Sequence, residues 1–125
     1  NISDPGNLGS IIRTLDWFGY KQVICSKNCV DVFNPKTIMA SMGSVFRIKT
    51  HYLDLIDYIK NKKNKKVIFG TTLEGKSIYE TNISDNSLLI FGNEAHGLSK
   101  EIISLLNNNI KIIVNEINNL QRCYH

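Results

Sequence analysis

The sequence predicts an α/β domain built on parallel strands, and three observations lead there. Helix-spaced segments and short strand-like segments alternate along the chain. Two of the strand-like segments, Val67-Ile68-Phe69 and Leu88-Leu89-Ile90-Phe91, are unbroken apolar runs. Helix-starting residues stand ahead of several of the helical segments. A strand with no polar positions has no face to show to water, so helices must cover both of its sides, as they do in a parallel sheet.

The elements follow one another along the chain. Asn7 to Trp17 carries Leu8, Ile11, Ile12 and Leu15 at helical spacing, and Asp4-Pro5-Gly6 ahead of it is a turn feeding a helix start. Gly19 ends that helix, and Gln22 to Cys25 is a short apolar strand. Asn34 opens a second helix, Pro35 to Ser41, with proline in the first turn, where its missing N–H costs nothing. Phe46 to Lys49 reads as the next strand. Leu53, Ile56 and Ile59 read as the stripe of a third helix, with Asp54 and Asp57 on its outer side. The two apolar strands follow. Ser99 is placed to cap a fourth helix running to Leu106, and Ile110 to Val114 is the last strand. No internal repeat is visible. The one biased stretch is Lys60 to Lys66, with five lysines in seven residues, either a solvated loop between elements or a patch that touches phosphates.

Composition narrows the class. A chain of 125 residues suits one domain with a real core. With 42% hydrophobic and 21% charged residues, it has the balance of a folded protein and not of a disordered one. The formal charge of +4 suits a polyanionic partner such as RNA. No run approaches the roughly 20 apolar residues that span a bilayer, and no basic-then-apolar leader opens the chain. Cys25, Cys29 and Cys123 form no paired framework and lack the partners of a zinc site, so they read as reduced thiols of a cytoplasmic protein.

Two constellations carry chemistry. The first is Asp4-Pro5-Gly6-Asn7-Leu8-Gly9-Ser10-Ile11-Ile12-Arg13-Thr14. Asn7 and Arg13, six apart, are expected to point roughly alike if the helix starts early. Arg13 follows two isoleucines, so its guanidinium emerges beside an apolar face, where it can hold a phosphate in a two-pronged grip. The plainer alternative is a surface arginine with Asn7 as a helix cap. The second constellation is Phe91-Gly92-Asn93-Glu94-Ala95-His96-Gly97-Leu98-Ser99, after a buried strand and before a helix. Ligands of open α/β sheets sit beyond the carboxyl ends of strands, where this loop falls. His96 is equally readable as an exposed loop residue.

Together the two runs resemble the first and second signatures of the SpoU branch of the SPOUT RNA methyltransferases. Asn34-Pro35-Lys36, Ala40 to Arg47 and the Gly70-Thr71-Thr72-Leu73-Glu74-Gly75 turn are also similar to that branch. The resemblance reaches to about Ile112. It implies a parallel-sheet SPOUT-like domain of the trefoil-knot family and transfer of methyl from S-adenosylmethionine to a ribose 2'-hydroxyl of rRNA or tRNA. It also implies a homodimer in the intact enzyme and no metal. On the same resemblance, Arg13 would assist deprotonation of the ribose hydroxyl, Asn7 would position substrate, and Glu94 would organise the cofactor loop. Gly70, Gly92 and Ile112 would contact the cofactor through their backbones. The sequence departs from the family in two places. The third signature, expected soon after Ile112, is replaced by Ile113 to His125, and the strand expected before Asn1 is missing. Residues 1–125 are therefore expected to be one partial domain with its knot incomplete. The competing expectations are a non-catalytic RNA-binding remnant and a generic nucleotide-binding module.

Overall fold

A computed structural model describes residues 2–93 and 95–111 of the chain. They fall into two compact units, Asn1–Tyr58 and Ile59–His125.

The first unit opens with α1 (Pro5–Trp17). It starts earlier than its apolar stripe suggests because Asp4 is the cap. The Asp4 carboxylate accepts the Asn7 backbone N–H at 2.7 Å, and Pro5 fills the first turn. Asn7 is therefore inside the helix and is not its cap. Strand β1 (Gln22–Ser26) follows, then α2 (Pro35–Ser41), whose cap Asn34 accepts the Lys36 backbone N–H at 3.0 Å. Strand β2 (Lys49–Leu53) returns parallel to β1, with Gln22 opposite Lys49 and Ser26 opposite Leu53. The β1-α2-β2 path is thus a parallel crossover.

The expected strand at Phe46 to Lys49 is displaced. Ser44–Phe46 forms a 3-10 turn, the strand begins at Lys49, and Leu53 ends it instead of opening a helix. Val45 and Ile48 are apolar because they fill the core from the turn and its exit. The mixed residues Lys49-Thr50-His51-Tyr52 are extended because they pair with β1, a long-range cause that local pattern does not carry. Asp54 likewise is a cap, not an outer-face residue: its Oδ1 accepts the backbone N–H groups of Ile56 and Asp57 at 3.0 and 3.1 Å, starting α3 (Leu55–Lys62). The first part of the lysine run is accordingly the last turn of a helix, where cations complement the exposed carbonyls.

The core of this unit joins Ile2, Leu8, Ile12, Cys25, Val32, Val45 and Ile48. Each buried aliphatic side chain contributes about 1.5–3 kcal/mol relative to exposure. Gly9 explains how α1 and α2 approach. A Cβ there would stand 2.5 Å from the Thr37 carbonyl oxygen and 2.7 Å from Ala40 Cβ, so only glycine lets the helices touch. The facing residues Thr37 and Ser41 are small and fully buried.

Among the described residues of the second unit are three parallel strands, β3 (Val67–Ser77), β4 (Ser87–Ile90) and β5 (Asn108–Lys111), in the order β4-β3-β5. Ile68, Phe69, Ile90 and Ile110 are buried, as the apolar runs require. Val67 and Phe91, at the two outer limits of those runs, remain about 40% exposed, so the runs overstate the covered length. Asn107 extends the ladder ahead of β5: its side-chain oxygen accepts the Ile68 N–H at 2.8 Å while its own N–H donates to the Ile68 carbonyl at 2.8 Å. Thr71 and Lys76 both stand opposite Ile110, so residues 72–75 turn out of the ladder inside β3. Helix α4 (Lys100–Leu105) is capped by Ser99, whose hydroxyl accepts the Ile102 N–H at 3.3 Å. Residues 112–125, with the expected knot-closing segment, lie outside the described residues.

Candidate functional site

In the first unit, Arg13 lies on the exposed side of α1, past its midpoint. Asn7 is exposed on the same helix, six positions earlier. At about 100° per residue, six positions leave roughly 120° between the two side chains. The expectation that they point alike is therefore corrected: they share a helix but not a face.

Arg13 lines a shallow concavity of about 420 Å³ with Asp16, Trp17, Met42, Ser44 and Arg47. Part of its lining is fixed by charge. Arg47 donates to Asp16 Oδ2 through Nε at 2.7 Å and lies 2.6 Å away through Nη2, while the Ser44 hydroxyl donates to the same oxygen at 2.7 Å. Hydrogen bonds from Arg47 and then Ser44 hold the Asp16 carboxyl below its ordinary range, against a smaller opposing effect of burial. Arg47 is thus neutralised by Asp16. Arg13 has no ion-pair partner among the described residues, which leaves it as the pocket's uncompensated cation. Arg13 was legible from its motif. The Asp16–Arg47–Ser44 cluster was not, since 28 and 31 residues separate its members and no spacing rule connects them.

In the second unit, Gly70 stands in β3 opposite Ile90 of β4 and Asn109 of β5, and Gly92 lies just past the carboxyl end of β4. Both glycines allow close approach. A Cβ at Gly70 would fall 2.4 Å from Leu106 Cδ1 and 2.8 Å from Leu98 Cδ1, and one at Gly92 would fall 2.4 Å from the Gly97 carbonyl carbon. The loop after β4 closes on itself: Asn93 N–H donates to the Gly97 carbonyl at 3.0 Å, and Gly97 N–H returns to the Asn93 carbonyl at 2.8 Å. Asn93 Oδ1 also accepts the N–H groups of Ala95 and His96 at 2.8 and 3.2 Å. These bonds make a built turn, with His96 exposed on it. Glu94 and Ile112 lie outside the described residues. Among the described residues no cluster of His, Cys, Asp and Glu could hold a metal ion, and no helix is long and apolar enough to cross a membrane.

Parallel strands joined through helices define an α/β fold, and the glycine-bracketed loop past β4 falls where ligands of open α/β sheets sit. The SpoU rRNA Methylase family matches residues 1–119, and the chain belongs to that family. Over 80 residues it is 36% identical to the 23S rRNA (guanosine(2553)-2'-O)-methyltransferase RlmP of Bacillus subtilis, covering 63% of this chain and 32% of that protein. Among solved structures, the AdoMet-bound rRNA methyltransferase of Sinorhizobium meliloti superposes with a TM-score of 0.80 at 32% identity, over 90% of this chain and 44% of the other. The SpoU methyltransferase AviRb of Streptomyces viridochromogenes, in complex with AdoMet, gives 0.79 at 28% identity, over 90% and 47%. The chain therefore spans about a third of the curated relative and under half of these solved chains. These neighbours establish the SPOUT-like α/β fold.

Proposed function

We propose that this chain belongs to an enzyme that transfers methyl from S-adenosylmethionine to a ribose 2'-hydroxyl of rRNA or tRNA, working in the cytoplasm as a homodimer. The AdoMet-bound relatives and the named 2'-O-methyltransferase support the reaction class. The observation that carries the reading is Arg13, an uncompensated guanidinium in a concave site, within a family-matched motif.

The second unit is the part proposed to hold the cofactor. The missing side chains at Gly70 and Gly92 let Leu98, Leu106 and the Gly97 backbone close against the ends of β3 and β4, which gives this end of the unit an apolar lining. An uncharged, apolar lining of this kind suits a nucleoside better than a metal or a phosphate. Gly70, Gly92 and Ile112 would hold the group, with Glu94 ordering the loop. When bound, S-adenosylmethionine supplies a sulfonium methyl whose leaving group is a neutral thioether. The protein's task is then to align a ribose hydroxyl and give its proton somewhere to go. A guanidinium offers hydrogen-bond donors and no acceptor, so Arg13 serves as a donor and not as a base. Its role is to grip a substrate phosphate, hold the ribose in line and stabilise charge developing on the 2'-oxygen. On the resemblance Asn7 would position substrate, from a face of α1 about 120° away from that of Arg13.

The test is transfer of labelled methyl to RNA, scored as ribose methylation, beside calorimetric titration with S-adenosylmethionine. Arg13→Ala is expected to lower transfer on the order of a hundred- to a thousandfold while cofactor binding is retained. Undiminished transfer, or loss of cofactor binding with transfer intact in the remaining bound fraction, would show that the chemistry lies elsewhere.

A further inference from the structure

The concavity around Arg13 contains more than the proposed reaction needs. Trp17 is 68% exposed on its rim, an unusual position for the chain's single tryptophan. Met42 lies beside it, also exposed, at the left-handed end of α2 (φ 50°). In the same concavity the Asp16 carboxylate is held by Arg47 and Ser44, so a fixed polar cluster accompanies the exposed aromatic and apolar side chains. Two arginines against one aspartate leave one positive charge, and Lys21 also acts on Asp16. An aromatic face beside a guanidinium, together with hydrogen-bonding groups, is the chemistry that receives an unpaired base and its phosphate. A duplex keeps its bases stacked internally and cannot present one to Trp17. A peptide would have no use for a flat aromatic beside a lone cation unless it were itself acidic and planar.

We propose that this concavity holds an unpaired RNA nucleotide flanking the modified one, with its base stacked on Trp17 and its phosphate on Arg13. The proposal rests on the RNA methyltransferase reading and adds to it a requirement for single-stranded substrate and a residue, Trp17, that sets it. Asp16 and Arg47 are positioning residues here. They keep the 3-10 turn at Ser44 against α1 and so fix the wall that faces the base.

Because Trp17 is the only tryptophan, its fluorescence reports the contact directly. The protein is titrated with a labelled single-stranded RNA, and separately with the same strand annealed to its complement, while anisotropy follows binding and tryptophan emission follows stacking. Emission should fall in step with single-strand binding and stay near its starting level with the duplex. Trp17→Leu should weaken single-strand binding tenfold or more. It should leave the dependence of affinity on salt unchanged, since no phosphate contact is removed. Trp17→Phe, which keeps a stacking face, should recover most of the affinity and guards against a folding defect in the first variant. Binding with unchanged emission and a neutral Trp17→Leu would overturn this proposal and leave the RNA reading standing. Failure of either RNA to bind would overturn both. Emission that follows protein concentration instead of RNA would mark this face as a contact between copies of the chain and would equally overturn it.

Discussion

Cys29 shows how far local contacts can move one side chain. Its Sγ accepts the Ile2 backbone N–H at 3.3 Å and lies 3.2 Å from the Ser26 hydroxyl. A hydrogen bond from the Cys25 thiol, reinforced by these two groups, lowers its pKa to about 5 despite partial burial. The buried Cys25 is pushed the opposite way by the same hydrogen bond and by burial, and it stays a thiol. Cys29 is a thiolate above about pH 5 and a thiol below it, so alkylation by iodoacetamide should rise through that pH and level off before neutrality. Cys25 should stay unmodified in the folded protein. Peptide mapping after short exposures across pH checks both, and a rise centred on the ordinary thiol range at Cys29 would contradict the assignment. The sequence showed two cysteines four apart as unremarkable thiols. What it could not show is that the turn at 26–29 folds the second back under the Ile2 amide, a contact 27 residues away in sequence. Arg13 was legible for the opposite reason, since its neighbours along one helix already make the motif.

At the scale of elements, legibility followed the range of the forces involved. Caps are local, and Asn34 and Ser99 announce α2 and α4, but Asp4 starts α1 two residues ahead of the expected Asn7 and Asp54 caps α3 where an outer-face residue was expected. Strand β2 is not local, and its mixed residues are extended only because β1 lies alongside. The contact between α1 and α2 is the sharpest case, because helix propensity and packing disagree at Gly9. Alanine should improve an isolated helix there by about 1 kcal/mol. In the folded unit its methyl would meet the Thr37 carbonyl oxygen at 2.5 Å, backbone that cannot step aside without moving α2. Overpacking of that kind costs about 1–3 kcal/mol. Gly9→Ala is therefore expected to lose stability by roughly 1 kcal/mol net, seen as a lower urea midpoint with unchanged slope. Ser10→Ala, one position along and exposed, should change little. A Gly9→Ala protein as stable as the parent would mean that the helices do not approach as closely as described.

For the whole molecule, the quantity that matters is charge and where it lies. The net +4 is small, but it is unevenly spread: residues 60–66 hold five lysines and no acid. Part of that run is committed. Lys60 lies 3.6 Å from Glu101, an exposed pair worth little on its own, and Lys62 ends α3. Lys63, Lys65 and Lys66 stand past the helix on exposed or half-exposed backbone before β3. If RNA reaches this surface, each phosphate neutralised releases counterions, and the logarithm of affinity falls with the logarithm of salt by about 0.7 per contact on a single strand. Replacing Lys63, Lys65 and Lys66 with glutamine takes the net charge from +4 to +1 and touches neither the Arg13 concavity nor the glycine loop. RNA binding by this variant should weaken at low salt, show a slope shallower by up to about 2 units and converge on the parent at high salt. Methyl transfer at saturating RNA should be unchanged, because the substitution alters capture and not alignment. A salt slope identical to that of the parent would assign the lysines to a solvated turn, and the basic excess that steers RNA would then have to come from the arginine side of the first unit.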